Sequence, residues 1–193
     1  WELSRSSSCW DGELAWHLRF HKSLLLDLLF SNGAKRVYER IQNNNYGAVL
    51  IIPVTIDNTL LLVKEYAAGT DAYELGFPKG LIDKDEESLM AANRELQEEV
   101  GLAAKTLHFL RSLTLAPGYF GARLDVILAQ DLYPSQLEGD EPEPLEIVEW
   151  PMHDIDGLLN RSDFTEARSV AALFLCREWF IKNKIGTNPY TLS

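Results

Sequence analysis

The chain has 193 residues, about one domain's worth with room for a small appendage, and enough to bury a core without disulfides or structural metal. Apolar residues make up 46% and charged residues 24%, which excludes a disordered chain, a collagen-like fibre and a coiled coil. Eighteen Lys+Arg against 29 Asp+Glu leave a net charge of −11, with no basic patch, so phosphate neutralisation on a nucleic acid is not expected. An acid-rich protein that acts on phosphates does so through divalent cations, which directs attention to clustered carboxylates. The two cysteines, Cys9 and Cys176, form no disulfide framework or zinc spacing. The apolar run Leu24 to Phe30 is interrupted by Asp27 and too short to span a bilayer, and no signal peptide precedes it. A cytoplasmic protein without membrane contact is expected. Because the chain opens on Trp1, its natural start is expected to lie upstream.

In chain order, residues 1 to about 17 are irregular and Ser-rich. Two strand-like runs, Ser23–Phe30 and Ala34–Ile41, flank Ser31-Asn32-Gly33, and an Asn-Gly turn between such runs predicts a β-hairpin. Gln42 to Tyr46 reads as a linker, which divides the chain into an N-terminal segment with hairpin (1–45) and a main domain (46–193). Ala48–Ile56 and Thr59–Tyr66 are strands around Asp57-Asn58, the first apolar enough to be covered on both faces. Asp71–Phe77 is a shorter strand and Pro78 to Asp85 a loop. Glu86–Val100 has helical periodicity and ends at Gly101. Strands at Thr106–Leu115, Ala122–Asp131 and Leu145–Trp150 follow, then helices at Met152–Asn160 and Thr165–Asn183. The fold class is α/β, a layered sandwich of mixed sheet and helices.

The chemistry concentrates in Gly80 to Leu102, GLIDKDEESLMAANRELQEEVGL. On a helical wheel Leu89, Ala92, Leu96 and Val100 share one face, expected to be core. Glu95, Glu98 and Glu99 fall together on a neighbouring face. Three carboxylates within one turn repel unless a cation lies among them, and they are the hard oxygen ligands that Mg²⁺ and Mn²⁺ prefer. A solvated acidic stripe would be the plainer explanation of a Glu pair alone.

The segment fits the Nudix box, G-x5-E-x7-R-E-U-x-E-E-x-G-U with U aliphatic, at Gly80, Glu86, Arg94, Glu95, Leu96, Glu98, Glu99, Gly101 and Leu102. A chance match in a chain of this length has odds on the order of 10⁻⁷ to 10⁻⁸. The sequence therefore resembles the Nudix hydrolases, and the resemblance implies the Nudix-type α/β/α sandwich, here with an N-terminal hairpin extension. It also implies that Gly80 shapes the loop entering the site, that Arg94 and Glu86 tie this loop to the helix, and that Glu95, Glu98 and Glu99 hold Mg²⁺ or Mn²⁺. The carbonyl of Lys79 is a further implied ligand.

Outside the box the likeness continues through SNG..RVYER (Ser31 to Arg40), EYA.GT..YELGF.KGLID (Glu65 to Asp83) and LEGDEPEPL (Leu137 to Leu145), over roughly residues 20–183. These runs resemble the Nudix branch that hydrolyses ADP-linked compounds. The implied reaction is metal-dependent cleavage of a pyrophosphate, releasing AMP from ADP-ribose, dinucleoside polyphosphates or NADH. Alternatives are a nucleotide-sugar pyrophosphatase or a module that binds a nucleotide without cleaving it.

Leu137 to Glu146 carries Glu138, Asp140, Glu141, Glu143 and Glu146. A proline-punctuated acidic loop is usually a solvated connection. In related ADP-ribose hydrolases the loop at this place supplies a catalytic glutamate and a metal ligand, roles that fall by spacing on Glu141 and Glu143. Pro117, Gly118 and Tyr119, with Glu74, are candidate substrate contacts; a plain Pro-Gly turn between strands is also expected at 117–118. The NADH-pyrophosphatase signature SQPWPxPxS is absent, and Ala67 and Ala68 stand where many ADP-ribose hydrolases place an arginine. His17, His21, His108 and His153 form no ligand pair. A lone hairpin is marginal, so the N-terminal hairpin is expected to serve a homodimer, as in similar ADP-ribose hydrolases.

Overall fold

A computed structural model of the chain describes residues 23–41, 46–139 and 141–183. The Ser-rich start, Cys9, His17, His21, most of the expected linker and Asp140 lie outside the described residues. The chain divides into two compact units, residues 1–42 and 43–193.

The first unit holds an antiparallel hairpin of β1 (Ser23–Leu29) and β2 (Lys35–Ile41), in register from Ser23 opposite Ile41 to Leu29 opposite Lys35. Its turn closes as the Asn-Gly pair predicts. Phe30 N–H donates to Ala34 O, the Asn32 side chain accepts from Ala34 N–H at 3.0 Å, and Gly33 adopts φ +81°.

The second unit is built on β3 (Ala48–Pro53). It pairs in parallel with β8 (Phe120–Pro134) and antiparallel with β6 (Lys79–Leu81), while β7 (Leu102–Ala116) pairs with β8. A second sheet sets β4 (Thr59–Ala67) between β5 (Ala72–Gly76) and β9 (Glu146–Pro151). Val49, Leu50, Ile51 and Ile52 are fully buried. Alternation sends Leu50 and Ile52 into a core with α3 (Ala167–Asn183), and Val49 and Ile51 into a core with α1 (Ser88–Glu99). The central strand is therefore covered on both faces, as its unbroken apolar run requires.

The differences from the sequence reading are local. The expected loop 78–85 contains β6, because the amides of this stretch find partners along β3. The Met152–Asn160 helix splits into a 3₁₀ turn at Met152–Asp154 and a short α2 (Ile155–Leu159). Leu89 is exposed rather than core: it is the second residue of α1, and the buried positions begin at Ala91, beside Ala92 and Leu96. Among the described residues no helix is long and apolar enough to cross a membrane.

Candidate active site

β6 and α1 bring the two ends of the Gly80–Leu102 segment together. Gly80 has an ordinary backbone conformation, so its role is closeness of approach rather than a turn. A Cβ there would lie 2.0–2.2 Å from the carboxylate of Glu95, and only glycine lets that side chain lie against β6.

Arg94 organises the carboxylates. Its Nε and Nη2 donate to the two oxygens of Glu86 at 3.0 and 2.9 Å, a bidentate pair, and Nη2 also reaches the Leu81 carbonyl at 2.9 Å. Nη1 donates to Glu95 at 2.8 Å and to Glu98 at 3.0 Å. The hydrogen bonds from Arg94 hold the Glu86 carboxyl below the usual range, against the effect of its partial burial. Glu86 also caps the loop by accepting from Asp83 N–H at 3.0 Å. The ion pair and the loop tie expected of Glu86 and Arg94 are both present.

Glu99 differs from its neighbours. One oxygen accepts from the Lys79 amide at 3.4 Å; the other is buried without a hydrogen-bond partner among the described residues. Burial pushes the carboxyl up to about 8, with the Lys79 ammonium and amide opposing the rise. Such a buried oxygen is costly unless something binds it.

Glu95, Glu98 and Glu99 line a cavity of about 510 Å³ with Lys79, Gly80, Leu81, Asp83, Arg94, Glu138, Gly139 and Glu141. As they stand, no three acidic, histidine or cysteine side chains among the described residues converge as a closed ligand set, since Arg94 draws Glu95 and Glu98 to itself. The donors nevertheless suit a hard divalent cation. They are all oxygens, within reach of one cavity, and the buried Glu99 oxygen needs a positive partner.

The acidic loop divides. Leu137 N–H donates to the Gln97 carbonyl at 3.3 Å and Gln136 Nε2 to the Glu98 carbonyl at 3.3 Å, so the C-terminal end of α1 carries the loop. This brings Glu138 and Glu141 to the cavity. Glu143 is elsewhere: its Oε1 accepts from the Tyr73 hydroxyl at 2.6 Å, beside the Tyr66–Tyr73 ring pair. Hydrogen bonding to the Glu143 carboxylate raises the Tyr73 phenol.

The remaining candidates are spread out. Glu74 lines a neighbouring cavity of about 440 Å³ that shares Lys79 with the first, and the Lys79 ammonium pairs with Glu65 between them. Pro117, Gly118 and Tyr119 form the turn joining β7 to β8, closed by Tyr119 N–H to Ala116 O, and line neither cavity. His108 stacks on Trp179 at 4.8 Å between ring centres, as a packing residue.

Comparison with known proteins places the chain in a family. Residues 45–174 match the NUDIX domain. The ADP compounds hydrolase NudE of Escherichia coli is 56% identical over 154 residues, 80% of this chain and 82% of that protein. An ADP-ribose pyrophosphatase of Bacillus subtilis is 30% identical over 129 residues, 66% of this chain and 70% of that protein. A crystal structure of an ADP compounds hydrolase superimposes with a TM-score of 0.81 at 53% identity, covering 86% of this chain and 89% of that one. Nudix hydrolases generally use divalent cations. The chain belongs to the Nudix hydrolase family.

Proposed function

We propose that the protein hydrolyses the pyrophosphate of small ADP-linked compounds and releases AMP, with Mg²⁺ or Mn²⁺ held by Glu95, Glu98, Glu99 and the Lys79 carbonyl. The observation that carries this reading is the carboxylate cavity itself, with a buried Glu99 oxygen that has no partner among the described residues and an intact Glu86–Arg94 tie. The likeness to NudE and to ADP-ribose pyrophosphatase supports the substrate class. When bound, the cation would neutralise the diphosphate and make phosphorus a better electrophile.

The chain's own residues do the rest. A carboxylate of the acidic loop takes the proton of the attacking water, whose oxygen bonds to phosphorus as the bridging P–O bond breaks. Glu141, at the cavity, is the better placed of the two loop candidates. A carboxylate engaged by a cation is a poor base, which separates this task from the helix glutamates. Arg94 keeps Glu95 and Glu98 in reach of one site and ties the Gly80 loop to α1. Lys79, on the border of both cavities, has an ammonium free to exchange Glu65 for a phosphate, and Glu74 in the second cavity faces the remainder of the substrate.

The same reading includes a homodimer served by the N-terminal hairpin, which carries the exposed side chains Leu25, Leu29 and Val37. A cytoplasmic setting completes it. A substrate panel with Mg²⁺ tests the function: ADP-ribose, a diadenosine polyphosphate and NADH should be cleaved to AMP, and a UDP-sugar should not. Turnover of the UDP-sugar alone would favour a nucleotide-sugar pyrophosphatase, and binding without turnover a sensing module.

A further inference from the structure

Ser169 is a fully buried polar residue in the first turns of the C-terminal helix, far in sequence from the Gly80–Leu102 segment. Its hydroxyl accepts from the Phe77 amide at 3.1 Å and donates to Glu166 Oε2 at 2.9 Å. The same Glu166 oxygen accepts from the Ser169 amide at 2.8 Å, so the hydroxyl is fixed from two sides. The approach is close enough to dictate the facing residue. A Cβ at Gly76 would come within 2.9 Å of the Ser169 hydroxyl.

This contact lies at a sensitive place. Phe77 is itself fully buried, and Pro78 has no N–H, so the Phe77 amide is the last backbone donor before Lys79. Lys79 in turn presents its amide to Glu99 and opens β6, immediately ahead of Gly80. The neighbouring bonds run the same way: Leu75 N–H donates to the Asp163 carbonyl at 2.7 Å, and the Thr165 hydroxyl to Glu74 at 2.9 Å. The outer edge of β5 is thus held by the segment that leads into α3, and Ser169 makes the contact nearest the cavity.

We propose that Ser169, fixed by Glu166, is a positioning residue: it anchors the Phe77 amide and thereby sets where Lys79 and Gly80 stand against Glu99 and Glu95. This rests on the carboxylate cavity being the catalytic centre. Removing the hydroxyl leaves the Phe77 amide buried without an acceptor, and the chain relieves this by shifting the Phe77–Gly80 stretch. A shift of an ångström in a catalytic loop costs up to about a hundredfold in rate.

The test compares Ser169→Ala, Glu166→Ala, Glu166→Gln and Phe180→Leu. Each is measured for kcat and KM on ADP-ribose, for the half-saturating Mg²⁺ concentration, and for hydrogen exchange at the Phe77 amide. Ser169→Ala should lower kcat roughly ten- to a hundredfold, raise the Mg²⁺ requirement, leave KM little changed and speed Phe77 exchange at least about tenfold. Glu166→Ala should follow it, and it carries the test if Ser169→Ala does not fold. Glu166→Gln keeps an amide oxygen for Ser169 while losing the Arg168 pair, and should lie nearer to wild type than Glu166→Ala in kcat, Mg²⁺ requirement and Phe77 exchange. Phe180→Leu loosens the packing of α3 elsewhere, and should lower Tm without moving the Mg²⁺ requirement. Faster Phe77 exchange with unchanged kcat and Mg²⁺ requirement would overturn the proposal, as would Phe180→Leu reproducing the Ser169→Ala profile. Full activity in Glu99→Gln would instead overturn the reading of the cavity on which the proposal rests.

Discussion

Glu143 is tethered to Tyr73: the phenol donates to its carboxylate at 2.6 Å across 70 residues of sequence. Two residues earlier in the same loop, Glu141 lines the carboxylate cavity. Spacing alone left these two glutamates interchangeable as candidates for the base. The tether separates them, because a side chain held at the Tyr66–Tyr73 pair is not at the cavity to meet a water. Glu141→Gln is expected to lower kcat by about 10²–10⁴ at every Mg²⁺ concentration. Glu143→Gln and Tyr73→Phe should have small and matching effects. Steady-state kinetics of the three variants decide the matter, and equal losses in both glutamate variants would return the assignment to the loop as a whole.

Glu99 should behave differently from either. Its second oxygen, buried without a hydrogen-bond partner among the described residues, is a liability in the metal-free protein and, on the proposed reading, an asset when a cation binds. In chelator, Glu99→Gln should raise Tm, because a neutral amide is easier to bury than a carboxylate. The same variant should lose activity at ordinary Mg²⁺ and regain part of it as Mg²⁺ is raised. Thermal melts in chelator and a Mg²⁺ titration of kcat check both halves. A variant less stable than wild type in chelator would show that the carboxylate has a structural partner.

Acid stability should depend on Glu166. Burial acts to raise its pKa, but the Arg168 pair and the Ser169 hydrogen bonds outweigh burial and hold it low. A carboxyl lowered on folding contributes stability that is present above its unfolded value, near 4.5, and lost as the pH falls through the folded value. The stability of the wild type should therefore drop below about pH 4.5, with Glu86 contributing in the same direction through Arg94. Glu166→Gln removes one titrating group. Its denaturation midpoint should fall less steeply between pH 5 and pH 3, and parallel curves for the two proteins would contradict this.

The proposed dimer is open to a direct check. Sedimentation at micromolar concentration should give a species near twice the 21.9 kDa chain mass. Replacing Leu25 and Val37, both on the hairpin, with Asp should shift it toward the monomer. A wild-type protein that sediments only as a monomer would remove the hairpin's proposed role.

Much of this site was legible in the residues. The i, i+3, i+4 spacing put Glu95, Glu98 and Glu99 on one face, and the box fixed Gly80 and the Glu86–Arg94 pair. The Asn-Gly turn and the Val49–Ile52 run fixed the hairpin and the doubly covered strand. What escaped was long-range. Nothing around Ser169 marks it as a partner of Phe77, since a lone serine in an apolar helix has no periodicity to report. The Tyr73–Glu143 tether likewise joins two segments that neighbour each other only in the folded protein. Gly80 was legible as necessary but not as to why: its reason is the Glu95 carboxylate beside it, not a turn. Leu89 falls on the apolar face of the helical wheel but lies in the first turn of α1, ahead of the residues that reach the core.

The proposed function turns on whether the carboxylate cavity cleaves the pyrophosphate of an ADP-linked compound. The most direct measurement is incubation of the purified protein with ADP-ribose and Mg²⁺, with the products resolved by ³¹P NMR. AMP and ribose 5-phosphate should form in equal amounts, and chelator should abolish the reaction. Release of ADP, or of inorganic phosphate alone, would contradict it.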